Sequence, residues 1–108
     1  MQVVLHVMAR PGLRESLREL IIADLQRWDY GMGVEAEKKV GWRGGWAKIK
    51  AADLPGVVNI SWHASSKTLI ARAIARNGHT PNELLGRFLA YLLDRRRRDV
   101  TGITIRPA

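Results

Sequence analysis

The fold of this chain depends on the stretch 57-VVNISWHASSKTLIARAIARNGHTPNELLGRFLAYLLDRRRR-98. Its first residues, 57–62, alternate in the way that is typical of a β-strand. One side of that strand would carry the large apolar side chains Val58, Ile60 and Trp62. The other side would carry three residues that point the opposite way: Val57, Asn59 and Ser61.

Two helices are predicted after this strand. Residues 66–76 have an apolar stripe at helical spacing, and their alanines favour helix over strand. Asn77-Gly78 supplies a left-handed stop. Thr80-Pro81-Asn82-Glu83 is a capping box with proline at the first helical position, which predicts a second helix over 81–97. Four arginines, Arg95 to Arg98, end that helix.

The order strand, helix, Asn-Gly turn and capped helix resembles the ribbon-helix-helix family of DNA-binding proteins (MetJ/Arc type) over about residues 57–98. The resemblance implies a homodimer in which two 57–62 strands form an antiparallel ribbon that enters the DNA major groove. It implies three base-reading residues, Val57, Asn59 and Ser61. It also implies phosphate binding around the start of the second helix. With the arginine run included, the expected phosphate-binding residues are Thr80, Asn82, Arg95 and Arg98.

A second pairing of the same residues stays open. Residues 57–64 and 67–76 can form a hairpin around Ser65-Ser66, in which Trp62 faces Leu69. The chain would then be a single ferredoxin-like β-α-β-β-α-β domain that carries a further hairpin as an insertion. Its other elements would be strand 2–8, helix 12–29, helix 81–97 and strand 101–106. The two interpretations differ in whether 66–76 is helix or strand, and in both of them the chain is of the α+β class.

The inserted hairpin is predicted over 39–50, with Gly44-Gly45 as its two-residue turn. Counting outward from that turn places Lys39 opposite Lys50. One face would then be cationic with one aromatic side chain, and it would consist of Lys39, Arg43, Trp46, Lys48 and Lys50. Such a face can hold a nucleic-acid backbone with a base or sugar stacked on Trp46, unless the rest of the protein or a partner covers the indole.

A domain boundary is predicted at the turn Asp53-Leu54-Pro55-Gly56. Residues 1–55 would form a strand-helix-hairpin region that can contact a protein partner and is not expected to fold independently. Residues 56–108 would form the ribbon-helix-helix-like region with a C-terminal strand.

The charge of the chain favours a polyanionic partner. The net charge is +8, from 18 Lys and Arg against 10 Asp and Glu. Residues 57–108 carry nine basic and three acidic side chains, whereas residues 1–56 carry nine and seven. Cations concentrated in this way bind phosphates through release of counterions. We therefore expect nucleic acid as the partner, and DNA rather than RNA.

Several other kinds of site are not expected. The absence of cysteine excludes disulfides and thiolate metal sites, and the three histidines lie too far apart in sequence to predict a metal site. We find no phosphate-loop, dinucleotide-binding or nucleophile-elbow motif, so neither a cofactor nor enzymatic activity is expected. The apolar runs are too short for a bilayer and no secretory signal is seen, which favours a cytoplasmic protein without a membrane partner.

Two functions are consistent with these patterns. The first is a homodimeric DNA-binding protein that regulates transcription or assists plasmid or phage DNA processing. The alternative is a small basic protein-interaction module with a ferredoxin-like fold, which would act as an inhibitor or adaptor of an acidic partner.

Overall fold

The fold is α+β, with one antiparallel sheet and two helices. A computed structural model describes residues 1–41 and 44–107. Within these residues there are six strands and two α-helices, and a short 3-10 turn (Arg97–Asp99) follows the second helix. In chain order the elements are β1 (Gln2–Ala9), α1 (Leu17–Leu25), β2 (Gly33–Val40), β3 (Gly44–Lys50), β4 (Val57–His63), β5 (Thr68–Ile74), α2 (Asn82–Arg95) and β6 (Val100–Pro107).

The strands lie in the order β2-β3-β4-β5-β1-β6, and all neighbours are antiparallel. The terminal strands predicted over 2–8 and 101–106 are confirmed. β1 lies between β5 and β6, as expected of a strand that is mostly apolar on both sides. The sheet thus joins strands from both ends of the chain. Asp53, in the turn predicted as a domain boundary, accepts hydrogen bonds of 2.7 and 3.0 Å from the Arg87 guanidinium of α2.

The helix predicted over 66–76 is wrong, because Thr68–Ile74 is strand β5. The hairpin register of the second interpretation is confirmed, with Trp62 opposite Leu69 and Ile60 opposite Ala71. Leu69, Ala71 and Ala73 are fully or almost fully buried against the helices, and hydrogen bonds to β4 and β1 flank the strand. The helix preference of alanine amounts to a few tenths of a kcal/mol per residue. The backbone hydrogen bonds of β5 to both neighbouring strands, together with the burial of every second side chain, outweigh that preference.

The ribbon-helix-helix arrangement is not supported. β4 pairs with β3 along one edge and with β5 along the other. Both edges of the strand are therefore occupied within one chain, and it has no free edge with which to form a ribbon with a second copy. Asn77 and Gly78 do adopt left-handed φ angles of 57° and 79°, but in the loop after β5 rather than at the end of a helix.

The helices are shorter than the sequence pattern predicts. α1 begins after Ser16, whose hydroxyl accepts a 3.0 Å hydrogen bond from the Glu19 backbone N–H. It ends at Leu25, and Trp28, three residues further on, has a left-handed φ of 61°, so the predicted range 12–29 is too long at both ends. α2 agrees with its prediction to within two residues. Its N-cap is Pro81, which makes no side-chain capping bond, so the capping box predicted at Thr80 is absent.

One core lies between the helices and one side of the sheet. Its strand residues are those on the same side as Leu5, Ile60 and Ala71, and its helix residues include Leu17, Phe88 and other apolar side chains of α1 and α2. We call this side of the sheet the helix side.

The strand assignment of 68–74 predicts a large effect of Ala71→Leu. Ala71 is fully buried in the centre of the helix side, so three added carbons must displace packed neighbours. We expect the free energy of unfolding to fall by about 1–3 kcal/mol. Ala90→Leu, at an exposed position of α2, is the matched control and should change it by less than about 0.5 kcal/mol. Urea unfolding of both variants measures the difference, and equal stability of the two would contradict the burial of Ala71.

Candidate nucleic-acid interface

The side of the sheet opposite the helices forms a continuous surface, which we call the open face. Within residues 1–41 and 44–107 no helix packs on it, because the sheet residues of the core belong to the other side. The central row across the six strands is Ala36, Lys48, Asn59, Arg72, Val4 and Arg106. The row beside it is Lys38, Trp46, Ser61, Ile70, His6 and Thr104.

Three cations lie in the central row, and we call Lys48, Arg72 and Arg106 the cationic row. They stand on β3, β5 and β6, so the first two are separated by one strand and the last two by one strand as well. With strands about 4.8 Å apart, the spacing of their Cα atoms is about 10 Å. Arg72 and Arg106 are exposed and Lys48 is half-buried. None of the three forms an ion pair with a carboxylate among the described residues.

Trp46 supplies an exposed aromatic ring next to this row. It lies two residues before Lys48 on β3, which places both side chains on the open face. Its side chain is 41% exposed. Its cross-strand partners are Lys38 and Ser61, so a cation and a hydroxyl flank the indole. The ring is thus available as a stacking surface, with Lys38 across from it on β2 and Lys48 two residues further along β3.

Arg18 anchors the strand that carries Trp46, and sequence reasoning missed it. The Arg18 guanidinium is buried on the helix side, with 1% of the residue exposed, and it donates a 3.0 Å hydrogen bond to the backbone carbonyl of Trp46. It also contacts Glu19 at 2.6 Å and Glu37 at 3.6 Å. The signal in the sequence is an arginine directly beside the apolar stripe of α1, next to Leu17.

A second indole lies at the β2 end of this surface. A Cβ on Gly33 would stand 1.8 Å from the ring of Trp28, so this ring covers the side of Gly33 on which a side chain would point. Gly33 pairs with Lys50, whose side chain points to the open face. Trp28 lies within the helix predicted over 12–29, whereas the structure leaves it partly exposed beyond the end of α1.

A cleft of about 490 Å³ lies at one end of the open face, between the ends of β3, β4 and β5 and the loop that follows β5. We call it the end cleft. Lys48 belongs both to its wall and to the cationic row, and Lys50, Arg76 and His79 add basic side chains. Lys50 also contacts Glu35, with Nζ 3.3 Å from the carboxylate. The remaining lining residues are Pro55, Gly56, Val57, Asn59, Ile74, Ala75 and Asn77.

The structure brings together three residues of the predicted cationic hairpin face and separates Lys39 from them. Trp46, Lys48 and Lys50 share the open face. Lys39 faces Gly45 rather than Lys50, and this register places Lys39 on the helix side. Gly44 and Gly45 are strand residues of β3 and do not form the predicted two-residue turn. Gly45 has a φ of 137°, and a Cβ there would lie 2.5 Å from the Lys38 carbonyl oxygen. Arg43 lies outside the described residues.

The three residues predicted to read bases all lie on the open face. Val57 and Asn59 line the end cleft. Ser61 lies beside Trp46, with its hydroxyl 3.4 Å from His63 Nε2. The structure therefore places these side chains next to the cationic row, although not on a ribbon.

The four residues predicted to bind phosphates are not brought together. Thr80 and Asn82 lie at the start of α2, whereas Arg95 and Arg98 lie at or beyond its end, about 20 Å away. Arg95 is 3.8 Å from Asp24 of α1.

Arg96, within the same arginine run, belongs to a cluster that ties α1 to α2. It donates two 2.7 Å hydrogen bonds to the Asp24 carboxylate, which also accepts a hydrogen bond from the Tyr91 hydroxyl. Burial raises the pKa of Asp24, but the Arg96 and Tyr91 hydrogen bonds outweigh it and hold this pKa below its usual value. Burial and the Asp24 carboxylate raise the pKa of Tyr91. The arginine run thus contains one structural residue among exposed ones.

The described residues contain no group of three or more His, Cys, Asp or Glu side chains that could hold a metal ion. In the same part of the chain, no helix has the length and apolar character needed to cross a membrane. No protein-family model matches the sequence, and no significant match was found among curated proteins or among solved structures.

Proposed function

We propose that this protein binds single-stranded nucleic acid across its open face. The sugar-phosphate backbone would follow the cationic row, and a base would stack on Trp46. The observation that carries the proposal is the position of three cations in one row, next to an exposed indole on the same side of the sheet; none of the three pairs with a carboxylate within residues 1–41 and 44–107. A positively charged surface combined with aromatic stacking is the usual way in which proteins bind single strands without reading their sequence.

The shape of the open face favours a single strand over a duplex. Six strands span about 24 Å, whereas the DNA major groove is about 12 Å wide and admits a helix or a two-stranded ribbon. β4 lies inside the sheet and cannot enter the groove as a ribbon. A base that is not held in a duplex can reach the Trp46 ring. One chain supplies the whole surface, so this mode of binding does not require a homodimer.

We further propose that the core is ferredoxin-like, with β2-β3 as an inserted hairpin that widens the sheet. The support for this assignment is the element order β1-α1-β4-β5-α2-β6 together with the neighbour order β4-β5-β1-β6. In such a fold both helices cover one side of the sheet and the other side is left for binding. The insertion matters for the proposed function because it adds Trp46 and Lys48 to this surface.

Trp46→Ala tests the stacking contact. We expect affinity for a fluorescently labelled 20-nucleotide strand to fall by about 1–3 kcal/mol, or about 5- to 150-fold in Kd, because a base loses its aromatic partner. Leu93→Ala removes an exposed apolar side chain from α2 and is the matched control. Fluorescence anisotropy measures both variants with DNA and with RNA of the same sequence. Unchanged affinity in Trp46→Ala, or an equal loss in both variants, would exclude stacking on this indole.

A further inference from the structure

We propose that the end cleft binds the terminal phosphate of the strand, so that the protein holds an end of a nucleic acid rather than its interior. This inference rests on the proposed function. The chemistry that the cleft recognises is a phosphomonoester next to a sugar and base, which is found at a strand end and also in a free mononucleotide.

The position of the cleft suits a strand end. Lys48 belongs both to the cationic row and to the cleft wall, so a backbone that follows the row arrives in the cleft. The loop after β5 closes the far side, where the Arg76 carbonyl accepts a 3.1 Å hydrogen bond from the His79 N–H. This turn, with left-handed Asn77 and Gly78, presents both Arg76 and His79 to the cleft. The volume of about 490 Å³ is in the range of small-molecule pockets and is large enough for one nucleotide.

The charge in the cleft suits a terminal phosphate better than a phosphate within the strand. A phosphomonoester carries a charge of about −1.5 to −2 near pH 7, whereas a phosphodiester carries one negative charge. Lys48, Lys50 and Arg76 line the cleft, and no carboxylate is among its lining residues in the described part of the chain. Glu35 contacts Lys50 from outside the cleft and offsets one of these charges. Lys48 and Arg76 therefore remain without a carboxylate partner among the described residues, and two positive charges match a dianion.

The floor and the polar side chains suit the rest of a terminal nucleotide. Val57 and Ile74 form an apolar floor against which a sugar or base can pack. The Asn59 and Asn77 amides supply donors and acceptors for polar groups of the nucleotide. These residues come from β4, β5 and the following loop, and pairing across the sheet brings them together.

The test compares strands of one sequence with a 5′-phosphate, with a 3′-phosphate or with no terminal phosphate, and a circular strand that has no end. We expect one phosphorylated strand to bind about 10-fold or more tightly than the unphosphorylated strand, since charge-assisted hydrogen bonds to one group have this magnitude. In the variant Arg76→Gln, which removes the unpaired cation that belongs to the cleft and not to the cationic row, the ratio of these two affinities should fall toward one. Arg14→Gln removes the same charge away from the cleft and should leave the ratio unchanged.

The outcomes separate this inference from the proposed function. Equal affinities for all four strands would overturn the end-binding inference and leave the proposed function standing. No binding of any strand would overturn the proposed function, and the end-binding inference with it. The corresponding free nucleoside monophosphate serves as the competitor. If it binds as tightly as the phosphorylated strand, the cleft is a mononucleotide site and end binding is overturned.

Discussion

Replacing Lys48, Arg72 and Arg106 together with glutamine is expected to weaken binding of single-stranded nucleic acid on the order of 100-fold near physiological salt. Each cation loses a charge-assisted contact with a phosphate, and about 1 kcal/mol per contact gives this total. The dependence on salt should change as well. The logarithm of the binding constant falls with the logarithm of salt concentration with a slope of about −0.7 per phosphate for single strands, so the slope should decrease by about 2. Anisotropy titrations at four or more salt concentrations measure both quantities.

A control variant with the same loss of charge separates the effect of local phosphate contacts on affinity from the effect of net charge. Arg14, Arg27 and Lys39 are exposed; the first two flank α1 and Lys39 lies on the helix side. Their triple glutamine variant lowers the net charge by the same amount but should retain most of the affinity and of the salt slope. If the two triple variants lose affinity equally, the protein attracts nucleic acid only through its overall charge, and the cationic row is not the site.

Asp24→Ala is expected to lower the free energy of unfolding by about 3 kcal/mol. The Asp24 side chain is 7% exposed and accepts hydrogen bonds from Arg96 and Tyr91. Removal of the carboxylate leaves the Arg96 guanidinium and the Tyr91 hydroxyl without their acceptor. The Arg96 side chain is only 17% exposed, and Tyr91 is buried. A charged group in such surroundings is costly because it has lost its partner and is only partly hydrated. Urea unfolding at pH 7 measures the change. Asp29→Ala, at an exposed position after α1, is the control and should have little effect.

Asp24→Ala also tests how the free energy of unfolding depends on pH. The pKa of Asp24 in the folded protein lies below its usual value, so the unfolded chain takes up the proton first as pH falls. The stabilisation by the ionised carboxylate is therefore complete above about pH 5 and declines as pH falls below about 3.9. The stability difference between the wild type and Asp24→Ala should become smaller in that acidic range. A difference that stays constant from pH 7 to pH 2.5 would show that the carboxylate charge does not stabilise the fold.

The amino-acid sequence by itself determined those helices and strands whose local residue pattern favours the same structure as their surroundings in the fold. Alternation located β4, and the strand predicted over 2–8 and the helix predicted over 81–97 agree with β1 and α2 to within two residues at each end. Alternation within β3 also placed Trp46, Lys48 and Lys50 on one face, because the two-residue period of a strand does not depend on its partner. These features needed no knowledge of long-range contacts.

Pairing between strands that are distant in the sequence determined the remaining features of the fold and of the candidate site. Residues 68–74 became a strand because β1 and β4 occupy both of its edges and the helices cover Ala71, and these contributions exceed the helix preference of the alanines. The register of β2 against β3 places Lys39 opposite Gly45, where a Cβ would lie 2.5 Å from the Lys38 carbonyl oxygen, and the Gly-Gly pair in the sequence did not reveal this close approach. The cationic row exists because pairing aligns Arg72 and Arg106 with Lys48, far apart in the chain. The intrinsic helix and strand propensities of most residues differ by tenths of a kcal/mol. Strand pairing and burial stabilise many residues at once. Where local propensity and tertiary contacts favoured different structures, the tertiary contacts therefore determined the result.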